Sequence, residues 1–189
     1  APHVLDPEQR VRVYQDIATI AHEKLADVAL ARSAYRKALE EQPEDMALLD
    51  ALVELDTAAG DHAALIDVLG RKASLVLDAK QRALLLERQA DVYERGLDDA
   101  AHAITALEDA IAEVPLESAY ASLERLYQRS HRYGDLANLY EQQLERSIGR
   151  EVDVRCKLAR THRQYMSDNH AALAQLREAI ARDPNHAES

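Results

Sequence analysis

Apolar residues recur at three- and four-residue steps along nearly the whole chain, the spacing of one face of an α-helix. Val11, Tyr14, Ile17, Ala18 and Ala21 form one such stripe, and Leu48, Leu49, Leu52 and Leu55 another. Tyr120, Leu123, Leu126 and Tyr127 continue the pattern, as do Leu136, Leu139, Tyr140 and Leu144. Helix punctuation divides the stripes. Asp6-Pro7 reads as an N-cap followed by proline at the first helical position, opening a helix that runs to about Lys24. Leu25-Ala26-Asp27 turns into a second helix over about 28–41, which Pro43 ends while opening the third. Gly60-Asp61, a left-handed residue and a cap, leads into a fourth helix over about 62–77. Further helices are predicted over about 80–95 and 99–114, then up to His131, up to Gly149, and on either side of Ser167-Asp168 as far as Pro184. Ten helices with short turns make an all-α chain. Gly70, inside the fourth, costs about 1 kcal/mol relative to alanine and therefore predicts a close backbone crossing.

The chain also repeats itself. ARSAYRKALEEQP at 31–43 returns as AITALEDAIAEVP at 103–115 and ALAQLREAIARDP at 172–184, at steps of 72 and 69 residues. An alanine, a Tyr or Leu, a second alanine and a proline hold the same places each time: Ala31, Tyr35, Ala38, Pro43; Ala103, Leu107, Ala110, Pro115; Ala172, Leu176, Ala179, Pro184. A second phrase, AALIDVLGRKA at 63–73 and GDLANLYEQQL at 134–144, recurs at 71. Two independent phrases thus set a double unit of about 70 residues, built from two helix pairs of about 35. The units fall at about 8–43, 44–79, 80–115, 116–149 and 150–184. Read this way, residues 1–189 form a single solenoid. Leu5-Asp6-Pro7 mimics the ending Arg182-Asp183-Pro184, and Asn185–Ser189 reads as the start of another helix, so we expect a piece of a longer array.

Composition narrows the function. The net charge of −11 speaks against nucleic acid and anionic membranes, both of which require clustered positive charge. A lone cysteine, Cys156, cannot form an internal disulfide, and is read as a small half-buried residue. No apolar run reaches the ~18 residues of a membrane span, and APHVLDPEQ is no signal peptide, so a cytoplasmic protein is expected, with the periplasm as the alternative. Abundant alanine, and arginine in excess of lysine, suit a GC-rich bacterial genome.

The small residues at fixed places, the large apolar residue between them and the closing proline resemble the tetratricopeptide repeat, over about residues 8–184. The resemblance is divergent: an early tryptophan is missing, and Ile17-Ala18, Gln89-Ala90 and Leu158-Ala159 stand where that family has Leu-Gly. It implies a right-handed α-α superhelix of five helix pairs and a non-enzymatic protein-interaction scaffold, whose concave groove holds a peptide or a partner's helix. Carried over residue by residue, the groove falls at Arg12, Gln15, Thr19 and His22; Asp50 and Glu54; Glu87, Asp91 and Glu94; Arg125, Gln128 and Arg129; and Arg160, Arg163 and Gln164. Its middle is acidic and its C-terminal part basic. Arginine forks bind carboxylates bidentately, which points to an acidic segment or a C-terminal carboxylate as partner. The chaperone-peptide clamp of some members uses Lys and Asn where Gln15 and Thr19 stand here, which disfavours that partner.

No catalytic, cofactor-binding or metal motif is found. The histidines show no H-E-x-x-H, Cys156 lacks a partner on its helical face, and no Gly-rich phosphate loop is present. Glu87, Asp91 and Glu94 share a face but are flanked by Arg88 and Arg95, which favours a solvated ion-paired surface over a cation site. Two rival readings stand beside the scaffold. One is self-assembly into a homodimer or filament through the final helix, whose Leu173, Leu176 and Ile180 have no following helix. The other is an accessory domain of a larger enzyme or signalling protein.

Overall fold

The computed structural model describes residues 6–184. These form ten α-helices: α1 (Pro7–Glu23), α2 (Val28–Glu41), α3 (Met46–Ala59), α4 (His62–Leu75), α5 (Ala79–Asp91), α6 (Ala100–Glu113), α7 (Glu117–Arg129), α8 (Tyr133–Glu145), α9 (Glu151–Tyr165) and α10 (Asn169–Arg182). No strand occurs among the described residues. Two compact units are distinguished, one through Ala103 and one from Ile104.

Aspartate starts most of the helices. Asp6, Asp27, Asp45, Asp61, Asp78 and Asp168 each accept a hydrogen bond from a backbone N–H of the first turn. At Asp6 the bond is reciprocated by Gln9, completing a capping box. Part of the acidic excess is therefore spent on orphan amides at helix starts.

Each turn inside a helix pair contains one left-handed residue at the same place in the repeat: Ala26, Gly60, Asp98, His131 and Ser167, with φ of 52°, 66°, 51°, 56° and 55°. The residue that follows donates its N–H back into the finished helix. Asp27, Asp99 and Asp168 reach six residues back, to the carbonyls of Ala21, Tyr93 and His162; Asp61 and Arg132 reach five, to Asp56 and Tyr127. The two alternating repeat flavours thus differ in how the first helix closes.

Several boundaries differ from the sequence expectation. Pro43 does not open the third helix; it lies in the turn, and Asp45 caps a helix that begins at Met46. The fourth helix stops at Leu75, because Val76 is extended (ψ 124°). The fifth ends in a π-helical turn, Val92–Gly96. The eighth ends at Glu145, before left-handed Ser147 and Gly149. Gly70 admits a side chain rather than a backbone: a Cβ there would lie 3.3 Å from Gln89 Nε2, and that amide donates to the Ile66 carbonyl at 3.1 Å. Residues 185–189 lie outside those described.

The repeated alanines pack as expected. Ala31, Ala38, Ala103, Ala110, Ala172 and Ala179 are buried, as are Ala18, Ala90 and Ala159 of the partner helices. Small side chains let backbones approach closely at such crossings. In the first unit, Val11, Ala38 and Leu39 join Leu48, Leu49, Leu52, Val53, Leu65, Val68 and Leu69 in one core.

A polar junction binds the second helix of a pair to the following first helix. Between α2 and α3, Arg32 bonds both Asp56 and Asp61, and Arg36 lies 3.6 Å from Asp56. Asp56 is completely buried. The same places in the second unit hold Glu108 for Arg36, Tyr127 for Asp56 and Arg132 for Asp61. Tyr127 donates its hydroxyl to Glu108 at 2.6 Å, and Arg132 stands 3.9 Å from that carboxylate. The charges are reversed.

Candidate functional site

In the first unit, the first helices α1, α3 and α5 carry the N-terminal and acidic parts of the expected groove. Arg12, Thr19, His22, Asp50, Glu54 and Asp91 are exposed, Gln15 and Glu87 half-buried. Two of the carboxylates are already paired. Asp50 accepts from Lys72 of α4, and Asp91 holds Arg95 at 2.9 Å, one helical turn on. Glu94 sits in the π-helical turn and is 9 % exposed, so its carboxylate is withdrawn from the surface. Between α5 and α3, Arg88 donates to the Thr57 hydroxyl at 3.1 Å.

In the second unit, Arg125, Gln128 and Arg129 are exposed on α7, and Arg160, Arg163 and Gln164 on α9. Lys157 bridges the two helices through an ion pair with Glu124 at 2.9 Å. Beneath the bridge lies Tyr140 of α8, 2 % exposed, with the Lys157 ammonium 5.9 Å from its ring centre. Burial drives its phenol well above the usual range, and the negative charge and hydrogen bond of Glu124 add to this. A hydrogen bond with Gln128 and the charge of Arg160 act in the opposite sense. Gln128 of α7 therefore shares this hydroxyl with Glu124, within the field of Arg160 on α9.

Lys157, Glu124 and Tyr140 were not among the sequence candidates. A signal existed: Arg88 and Lys157 hold the same place in the repeat, and each reaches back to the preceding first helix.

Three recesses have definite linings. One of about 120 Å³, between α9 and α10, is lined by Cys156, Ala159, Arg160, Arg163 and Leu176. Cys156 is buried rather than half-buried. Two larger clefts occupy equivalent places on the second helices: about 340 Å³ between α2 and α4, and about 370 Å³ between α6 and α8. Their polar walls differ, with Arg36, Asp67 and Arg71 in the former and Glu108, Asn138 and Gln142 in the latter. Among the described residues no His, Cys, Asp or Glu cluster is placed to hold a metal ion, and no helix is long and apolar enough to cross a membrane.

Residues 11–45 match the tetratricopeptide repeat family profile. No curated protein matches the chain. Among solved structures, MamA is similar at 21 % identity, covering 96 % of each chain with a TM-score of 0.52. A tetratricopeptide repeat protein from Parabacteroides merdae is similar at 17 % identity, covering 94 % of this chain and 68 % of that one, with a TM-score of 0.51. The N-terminal domain of stress-induced protein-1 from C. elegans is similar at 15 % identity, covering 65 % of this chain and 98 % of that one, with a TM-score of 0.50. The fold is that of a tetratricopeptide-like helical repeat.

Proposed function

We propose that the chain is a non-enzymatic protein-interaction module, and that its second unit captures an acidic peptide segment on the first-helix face of α7 and α9. The supporting observation is the Lys157–Glu124 ion pair, which ties α9 to α7 above buried Tyr140 while Arg125, Arg129, Arg160 and Arg163 stand exposed on the same two helices. Tying them presents Arg125, Arg129, Arg160 and Arg163 from a rigid base, which lowers the ordering cost of binding. Guanidinium groups one turn apart suit successive carboxylates, including a chain terminus. The acidic first unit would repel the same peptide. Its own exposed charges, His22 and Arg12 among Asp50, Glu54 and Asp91, leave it a weak site for any single charge type.

The test uses a fluorescent decapeptide rich in Asp and Glu, with either a free or an amidated C-terminus. Arg125→Glu combined with Arg160→Glu is expected to abolish the anisotropy change while far-ultraviolet circular dichroism stays constant. Equal binding of the free and amidated peptides assigns recognition to the acidic side chains; loss on amidation assigns it to the terminal carboxylate. Undiminished binding by the double variant disproves the reading.

A further inference from the structure

The eight tyrosines are the only phenols of the chain, and they are not equally placed. Tyr120, Tyr127 and Tyr140 are buried, Tyr14 and Tyr35 lie half-buried against the core of the first unit, and Tyr93 stacks on His102. Tyr133 and Tyr165 are the one pair of tyrosines that stack on each other among the described residues, with ring centres 3.8 Å apart and planes 4° from parallel. Tyr133 opens α8 and Tyr165 closes α9, so the stack joins two helix ends within the second unit. Tyr165 is 50 % exposed and Tyr133 half-buried, which leaves the pair open to a diffusible reagent.

A third ring completes the group. His131, the left-handed residue of the α7–α8 turn, sets its Nδ1 2.8 Å from the Tyr133 hydroxyl. A phenol O–H is a stronger acid than a neutral imidazole N–H, so the favoured tautomer carries its hydrogen on Nε2 and accepts from Tyr133 at Nδ1. The same three places in the preceding double unit hold Gly60, His62 and Gly96. The repeat therefore closes its turn and its junction without either phenol and without an imidazole on a hydroxyl. Folding alone calls for none of the three side chains.

We propose that Tyr133 and Tyr165 form an oxidative cross-link site, where a one-electron oxidant of the ferryl-haem class joins the two rings through their ortho carbons and fastens α8 to α9. The oxidant takes one electron from Tyr133 while the phenolic proton passes to His131 Nδ1, giving a neutral phenoxyl radical without a charged intermediate. A second equivalent takes one electron from Tyr165, whose proton goes to water. The unpaired spin of a phenoxyl lies partly on the carbons ortho to oxygen, in orbitals perpendicular to the ring. Face-to-face stacking points these orbitals at each other, and the new carbon–carbon bond forms along the stacking direction. The hydrogens on the two joined carbons then leave as protons while both oxygens take up protons from water, restoring two phenols. In all, two electrons pass to the oxidant and two protons to His131 and solvent. The site uses none of the arginines of α7 and α9, and its failure leaves peptide capture standing.

The test treats the 189-residue chain, dilute enough to suppress encounters between molecules, with tris(bipyridine)ruthenium(II), persulfate and a flash of visible light, which generate ruthenium(III) as the one-electron oxidant. The expected product is a monomer lighter by two hydrogens, with dityrosine emission, in which tryptic peptides 133–146 and 164–177 are joined through Tyr133 and Tyr165. Tyr133→Phe and Tyr165→Phe each keep a ring to stack and should each lose the joined peptide entirely. His131→Gly suits the left-handed turn, removes the proton acceptor, and should lower the yield per flash several-fold with the product unchanged. Closing the loop between residues 133 and 165 should also raise the melting temperature of the linked protein. The proposal is overturned by linked dimers in place of the monomeric product, by a link that survives either tyrosine change, by oxygen added at Met166 with no link formed, or by a yield indifferent to His131→Gly.

Discussion

His62 occupies the space that a side chain on Gly96 would need: a Cβ there would lie 2.6 Å from the imidazole Cγ. The repeat places Tyr133 and Tyr165 at the same two positions, and there the rings stack at 3.8 Å between centroids and 4° between planes. One junction between successive units is therefore solved twice, by a ring against bare backbone and by a ring against a ring. Gly96→Ala should gain up to ~1 kcal/mol in helix propensity yet lose about 1–3 kcal/mol to overpacking, a net destabilisation. Adding His62→Ala should recover the loss, since it removes the obstructing ring. Urea denaturation of the two single variants and the double variant checks the coupling; a Gly96→Ala protein as stable as the parent sinks it.

The left-handed turns give predictions of opposite sign at equivalent places. Ala26 holds φ 52° at a cost of roughly 1–2 kcal/mol for an L-residue, and glycine would relieve it at a smaller cost in unfolded-chain entropy. Ala26→Gly should therefore stabilise by about 0.5–1 kcal/mol. Gly60→Ala should destabilise by about 1 kcal/mol through the backbone alone, because no atom lies within 4 Å of the added Cβ. Thermal melts of both variants test this, and movement of both midpoints in one direction would contradict it.

Arg32 bonds two carboxylates, one of them completely buried. Arg32→Met leaves Asp56 facing only the more distant Arg36, and should cost about 3 kcal/mol. Asp61 adds a pH dependence. The hydrogen bond from Arg32, then that from the Ala64 backbone, holds its carboxyl below the ordinary range. A lowered pKa contributes stability that is present above the unfolded value near 4 and lost as pH falls through the folded value. Acid titration of unfolding free energy should show this loss in the parent and a smaller one in Arg32→Met. Equal slopes would remove Arg32 as the cause.

At the alkaline end the sign reverses. Burial raises the phenols of Tyr127 and Tyr140, with Glu108 and Glu124 adding to the shift. Groups raised in this way contribute stability that is complete below their unfolded pKa near 10 and lost as pH climbs through the folded one. Ultraviolet titration should find one phenol fewer ionising as the protein unfolds in Tyr127→Phe than in the parent. An unchanged number of late phenols in that variant would misassign Tyr127.

Many of the helices were readable because they are announced locally: Asp27 caps α2, left-handed Gly60 precedes Asp61, and the alanines repeat in phase. Pro43 was misread because an aspartate two residues on competes for the start of α3 and wins through two hydrogen bonds from backbone amides. Gly70 pointed to closeness, but only the partner helix shows that Gln89 is what comes close. The expected groove positions were legible as residues on first helices, whereas their pairing was not. Lys72 taking Asp50, and Lys157 taking Glu124, depend on which helices become neighbours across 22 and 33 residues.

A chain that says the same thing several times risks docking the right helix on the wrong neighbour. The reversed junctions work against that error. Were α2 to seek α7 in place of α3, Arg32 and Arg36 would meet Arg132 and lose Asp56. Were α6 to seek α3, Glu108 would face Asp56 and Asp61 with no arginine between them. Each mistaken pairing sets like charges together in a partly dry site, where repulsion is weakly screened. The inverted signs thus act as addresses, letting helices of similar apolar pattern find their own places as the array folds.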